Sequence, residues 1–174
     1  EHDYTRRSGV EHSEIVAPAE APGWALDRAE LWNAVEAAEA RKDAQLCREF
    51  EVALPSELSA DARAELVREW VSDELVSKGM VADVAIHEPS RNGDDRNHHA
   101  HVLATMRPLD GDGFGAKARE WNSKEQLEGW RSSWEEYANR ALARSGSEER
   151  IDHRSLDTQL DRALDRGDIQ AAAS

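Results

Sequence analysis

Stretches of this chain that alternate polar and apolar residues with a period of two are separated by longer stretches with apolar residues at helical steps. That combination restricts the fold more than any single motif, because period two buries one face of a strand and period 3.6 buries one stripe of a helix. "REFEVALP" sets Phe50, Val52 and Leu54 against Glu49, Glu51 and Ala53, and Pro55 closes it. "MVADVAIHEP" is β-branched, ends at Pro89, and puts Asp83, Ala85 and His87 on one face with Val84 and Ile86 on the other. "HHAHVLATM" follows across the polar loop "SRNGDDRN", so these two strands are expected to pair antiparallel. The opening "HDYTRRSGVEHSEIVAP" reads as a hairpin around Ser8 and Gly9.

Between the strands, residues 27–42 form a first expected helix, with Leu26, Ala29, Trp32, Val35 and Ala38 near helical spacing. A second covers roughly residues 60–78, with Ser59 as N-cap, Asp61 in the first turn and Gly79 as the terminating glycine. The third is the clearest. Asn122 or Ser123, with Glu125 or Gln126 three residues on, caps a stripe of Leu127, Trp130, Trp134, Tyr137 and Ala141, and Gly146 ends it. "RPLDGDGFGAKARE" is glycine-rich and expected to be irregular, and a weak exposed helix is expected within residues 156–172. The fold class is therefore α+β, with helices packed on one face of an antiparallel sheet.

Composition narrows the function classes. The chain has 174 residues, enough for one core, and 36 acidic against 22 basic side chains give a net charge of −14. Such a surface has no general attraction for a nucleic-acid backbone, so any DNA binding must rest on a local basic or metal-bearing patch. The single cysteine, Cys47, forms no internal disulfide, no stretch is apolar enough to span a membrane, and no signal peptide opens the chain. A cytoplasmic location is expected.

Strand alternation sorts the histidines. His99 and His101 share a face with Leu103, while His98 points the other way with Ala100, Val102 and Ala104. Two imidazoles two residues apart on a strand can share a metal ion, and His87 on the preceding strand is the natural third ligand. The set is His87, His99 and His101. The competing reading is three polar side chains on a water-facing strand. Glu49 and Glu51, on the polar face of their strand, offer a carboxylate to hold an imidazole N–H, and Asp83 offers one from the face of His87.

These residues carry a resemblance. The run "DVAIHEP … NHHAHVLATMRPLDGDGFGAKAREWN", the later "RIDHRSLDTQ", the opening "HDYTRRSGVEHSEIVAP" and the segments "LWNAVEAAEARKDAQLCREFEVALP" and "WEEYANRAL" resemble the MobA/MobL (MobQ-class) conjugative relaxases of the HUH endonuclease superfamily, over roughly residues 2–160. The resemblance implies a two-layer relaxase sandwich and a plasmid-mobilisation enzyme. Such an enzyme nicks single-stranded origin-of-transfer DNA through a tyrosine nucleophile, forms a 5′-phosphotyrosyl intermediate and later reseals the strand. It implies one divalent metal (manganese, magnesium or zinc) on His87, His99 and His101, with Glu51 orienting a ligand. It implies a relaxase core over residues 1–160 and a tail over residues 161–174, and places the nucleophile and its strand upstream of Glu1. Of the two tyrosines present, Tyr137 is expected in the core and Tyr4 in a structural role.

Arg6, Arg7, Arg107, Lys117, Arg119 and Arg154 are candidate DNA contacts, with Arg91 and Arg96 as possible additions, set against ordinary solvated charges. Asp152, His153 and Arg154 of "RIDHRS" either touch DNA or brace the structure. Trp32, Trp70, Trp130 and Trp134 are expected in the core, leaving Trp24 and Trp121 open. The alternatives to a relaxase are a non-catalytic DNA-binding or replication-accessory module and a metal-stabilised interaction domain. Other transfer proteins are possible partners.

Overall fold

The computed structural model describes residues 9–89, 95, 96 and 98–153. Four strands form one antiparallel sheet: β1 (Val10–Val16), β2 (Cys47–Leu54), β3 (Ala82–His87) and β4 (His98–Thr105), in the order β1-β3-β4-β2. Helices α1 (Arg28–Ala37), α2 (Ala60–Glu74) and α3 (Lys124–Arg144) complete the framework, and β5 (Leu109–Asp110) pairs with β6 (Gly113–Phe114) in a small separate ribbon.

Each main element follows from a local signal. The Ser59 hydroxyl accepts from the Ala62 N–H and the Ser123 hydroxyl from the Gln126 N–H, each satisfying a donor that a helix start leaves unpaired. Gly79 takes φ 93, and a Cβ there would stand 2.7 Å from the Pro108 Cβ, so only glycine suits the cap. The central strands bury Ala82, Val84 and Ile86 of β3 beside Ala100, Val102 and Ala104 of β4. Against this face α2 packs Leu66, Val67, Trp70 and Val71, and α3 packs Trp130, Trp134, Ala138 and Leu142. Each large apolar side chain removed from water there contributes about 1.5–3 kcal/mol. Phe50 of β2 sits in an edge-to-face aromatic cluster, 5.8 Å from Trp70 and 5.0 Å from Trp130.

The two-layer expectation describes α2 and α3, but α1 lies against the other face. Its Leu31 and Val35 pack with Val81, Ile15, Leu46, Leu109 and Phe114, and its Arg28 and Trp32 bond to Asp83, whose side chain points away from the α2–α3 layer. This helix ends at Ala37 rather than running on to Lys42. Glu39 turns inward instead, taking the Arg107 Nε at 2.9 Å and the Lys117 Nζ at 3.4 Å, a tertiary pairing that outweighs helix propensity.

The opening hairpin is seen only as β1, which pairs with β3 from Val16↔Ala82 to Val10↔His87 with an irregularity between Val10 and His12. Its first arm, the expected helix within residues 156–172, and Arg6, Arg7, Arg91, Arg154 and Tyr4 lie outside the described residues. Among the described residues no helix is long and apolar enough to cross a membrane.

Glu39 also gives a pH prediction. The Arg107 guanidinium, with Lys117 beside it, holds the Glu39 carboxyl below the usual carboxylate range. A depressed folded-state value means the stabilisation is complete above the ordinary carboxylate pKa and disappears as pH falls through the depressed one. Urea unfolding is therefore expected to show Glu39→Gln less stable than the parent at pH 7. The two should converge as pH falls below that depressed value, in the acidic range where carboxylates protonate.

Candidate metal centre on the open sheet face

The face turned away from α2 and α3 carries the histidines, and the antiparallel register brings them together. His87 pairs with His99, Ala85 with His101, and across the other edge of β4 Glu51 pairs with His101 and Ala53 with His99. Small residues thus flank both imidazoles and leave the rings room. The His87 and His99 rings stack at 5.2 Å with 11° between planes, and His101 meets them edge-on at 4.9 Å and 5.1 Å. All three are half-buried. His98 stands on the opposite face across from Leu54, with its Nδ1 buried.

Two carboxylates of the edge strand flank His101 on either side. Glu49 Oε1 is 3.6 Å from Nδ1 and Glu51 Oε1 is 3.9 Å from Nε2. Donor atoms of Glu51, His99 and His101 all lie within 4.8 Å of one another. Glu51 therefore stands where a ligand could stand. Glu49 stands where an N–H acceptor could, a division of labour that parity alone could not assign.

Asp83 is a correction. It shares the strand face of His87, but four residues of extended chain separate them by about 13 Å. Its carboxylate is occupied instead: Arg28 Nε and Nη2 donate at 2.8–3.0 Å and the Trp32 indole N–H at 2.9 Å. It anchors α1 and does not orient His87. Arg107 and Lys117 meet a protein partner as well. Arg107 lies just past Thr105, which is about 20 Å along β4 from His99, and both cations pair with Glu39. Arg119 opens a short 3-10 turn and is exposed.

Sequence reasoning did not see Arg28 and Trp32 as a clamp. The available signal was Asp83 itself, an acid inside an apolar strand, which requires a buried partner. Trp32 is half-buried at this clamp rather than in the main core, Trp121 is buried, and Trp24 packs edge-on against Phe114 at 5.6 Å.

Tyr137 is half-buried against the α2–α3 core, and its hydroxyl donates to Asp73 at 2.6 Å. That hydrogen bond pushes the phenol pKa up, the reverse of what an activated nucleophile needs. Burial, with Glu49 nearby, likewise pushes the Cys47 thiol up.

With the fold and this histidine cluster in view, comparison with known proteins is decisive: the model of the MobA/MobL family matches residues 1–165. The chain belongs to the MobA/MobL family. It is 38% identical to the conjugal transfer protein TraA of Rhizobium radiobacter over 90% of this chain and 17% of that protein. It is also 38% identical to the mobilization protein MobL of Acidithiobacillus ferridurans, over 88% of this chain and 48% of the relative. A 43 kDa relaxation protein of Salmonella typhimurium is 30% identical over 87% of this chain and 46% of its own length. The chain thus spans under half the length of each of these MobA/MobL relatives. The fold matches a solved structure described as "Molecular Basis of Vancomycin Resistance Transfer in Staphylococcus aureus", with TM-score 0.74 and 34% identity over 84% of this chain and 76% of that one.

Proposed function

We propose that this MobA/MobL chain is the DNA-nicking portion of a mobilisation relaxase. On this reading it binds single-stranded origin-of-transfer DNA across the histidine face. A tyrosine hydroxyl attacks the scissile phosphate there, giving a 5′-phosphotyrosyl link and a free 3′ hydroxyl. The observation that supports it is the convergence of three imidazoles on an open sheet face, 4.9–5.2 Å apart between centroids. With metal–nitrogen distances of about 2.1 Å, ring centroids stand about 3 Å from an ion and about 5 Å from one another, so the ring spacing suits a single divalent cation, and the donor atoms of His99, His101 and Glu51 already lie within 4.8 Å of one another. Bound there, a divalent cation supplies Lewis-acid polarisation of a non-bridging phosphate oxygen.

The chain's own residues set the rest. A neutral imidazole offers one nitrogen as ligand and must place its other N–H on an acceptor; Glu49 Oε1 lies 3.6 Å from His101 Nδ1, and a small side-chain rotation would bring it into hydrogen-bond reach. Ala85 and Ala53, the cross-strand partners of His101 and His99, keep the approach to the rings unobstructed for a backbone phosphate. Glu49 and Glu51 are both exposed on the same strand and would repel that phosphate when no cation offsets them. Single-stranded DNA binding should therefore depend on divalent metal.

Two substitutions separate the carboxylates. Glu49→Gln keeps a neutral acceptor but loses the charge-assisted support of a ligand, and is expected to weaken manganese binding by about tenfold. Glu51→Gln, which replaces a charged carboxylate donor by a weaker neutral amide oxygen, is expected to cost more. Titration calorimetry with Mn²⁺ decides, and equal affinities for both variants and the parent would remove Glu49 and Glu51 from the site.

The reaction is tested with the chain, alone and extended at its N-terminus by a tyrosine-bearing segment, incubated with Mn²⁺ and a single-stranded oligonucleotide of the cognate origin. The expected product is protein covalently joined to the 3′-side fragment, seen on a denaturing gel and abolished by EDTA. One observation favours the non-catalytic module instead: the described tyrosine, Tyr137, is held on Asp73 in the helix layer and not at the histidines. An EDTA-sensitive complex with no covalent product would favour that reading, and no complex at all would sink both.

A further inference from the structure

The described part of the "RIDHRS" motif lies against α3, in the helix layer, and the structure builds something definite from it. Asn139 of α3 reads the backbone of Ile151 in both directions: its amide donates to the Ile151 carbonyl at 3.1 Å and its Oδ1 accepts the Ile151 N–H at 2.8 Å. This fixes the chain immediately before Asp152. One turn earlier on the same helix, Glu135 Oε2 accepts the His153 backbone N–H at 3.1 Å and also meets the His153 ring at Nδ1. Donor atoms of Glu135, Asp152 and His153 then all lie within 4.8 Å of one another, and all three residues are half-buried.

We propose that Glu135, Asp152 and His153 form a second divalent-metal site, in the helix layer across the sheet from the three histidines. Glu135 and Asp152 bring two carboxylates to one imidazole, and Glu136 adds another to the adjoining concavity, which Arg140 also lines. One nitrogen and two oxygen donors suit zinc or manganese, and three protein ligands leave a coordination position for water. The metal clamps the segment around Ile151–His153 onto α3, so the site is structural and independent of the nicking chemistry.

The test uses the full chain with His87, His99 and His101 replaced by alanine, which silences the first site. Titration calorimetry with Zn²⁺ is expected to show one equivalent binding. Zinc a hundredfold above its Kd should raise the melting temperature by about 5 °C or more. In the same background Asp152→Asn and Glu135→Gln should each lower zinc affinity at least about tenfold. If the triple-alanine chain does not fold, the unsubstituted chain serves, and the stoichiometry should fall from two zinc ions to one on Asp152→Asn. No uptake by a folded triple-alanine chain would overturn the proposal. So would uptake indifferent to both acidic substitutions, leaving the His153–Glu135 contact as an ion-pair anchor.

Discussion

Replacing His99 and His101 together by alanine is expected to abolish divalent-metal binding on the sheet face, lowering Mn²⁺ affinity by well over about a hundredfold, because two of three imidazole donors go at once. Both side chains are half-buried on the open face and neither belongs to the α2–α3 core, so the melting temperature without metal should move little. A loss of binding is then a loss of ligands and not of fold. The matched control is His98→Ala, which changes the same residue type one position away on the face turned from the metal, and should leave the affinity intact. Single-stranded DNA affinity should follow the metal: high with Mn²⁺ in the parent, low after EDTA and low in the double variant with or without Mn²⁺. Should His98→Ala match the double substitution, the face assignment fails, and with it the argument that register builds the site.

The strand alternation that sorts the histidines is the part of the molecule most legible in the amino acids. Alternation along β4 is a property of extended backbone, indifferent to what packs around it, so His99 and His101 could be separated from His98 without a structure. The caps at Ser59, Ser123 and Gly79 are local in the same sense, since each satisfies donors or acceptors within its own helix end. What could not be read is whatever depends on distant chain. Arg107 and Lys117 look like free cations until Glu39, 68 residues before Arg107, is seen between them. Asp83 has the right parity for an orienting carboxylate, but its place along β3 puts it under α1, where Arg28 reaches it from 55 residues away. The choice between Glu49 and Glu51 needs the β2–β4 register, and those strands are joined through α2 and β3 rather than a turn. Helix α1 on the histidine face is the same kind of fact: its amphipathic stripe shows that it packs, not on which side of the sheet.

The largest stability effect should come from beneath the site. Trp130 of α3 is 1% exposed and stands 5.0 Å, edge-to-face, from Phe50, the residue between Glu49 and Glu51 on β2. Trp130→Ala empties the volume of an indole in a core where Trp70 and Trp134 also meet edge-on at 5.6 Å, and such cavities cost about 3–5 kcal/mol. For a domain of this size that corresponds to a fall in melting temperature of about 10 °C, checked by calorimetry. Trp130→Phe should cost much less. It keeps most of the ring, and among the described residues the Trp130 indole N–H has no acceptor to lose. The two variants also report on function, because β2 is an edge strand whose inner anchor is Phe50 and whose outer face holds both carboxylates. At a temperature where Trp130→Ala is still folded, its Mn²⁺ affinity should fall toward that of Glu49→Gln, while Trp130→Phe retains the parent value. Parent-like metal binding in a folded Trp130→Ala chain would show that the aromatic cluster stabilises the sheet without positioning the carboxylates beside His101.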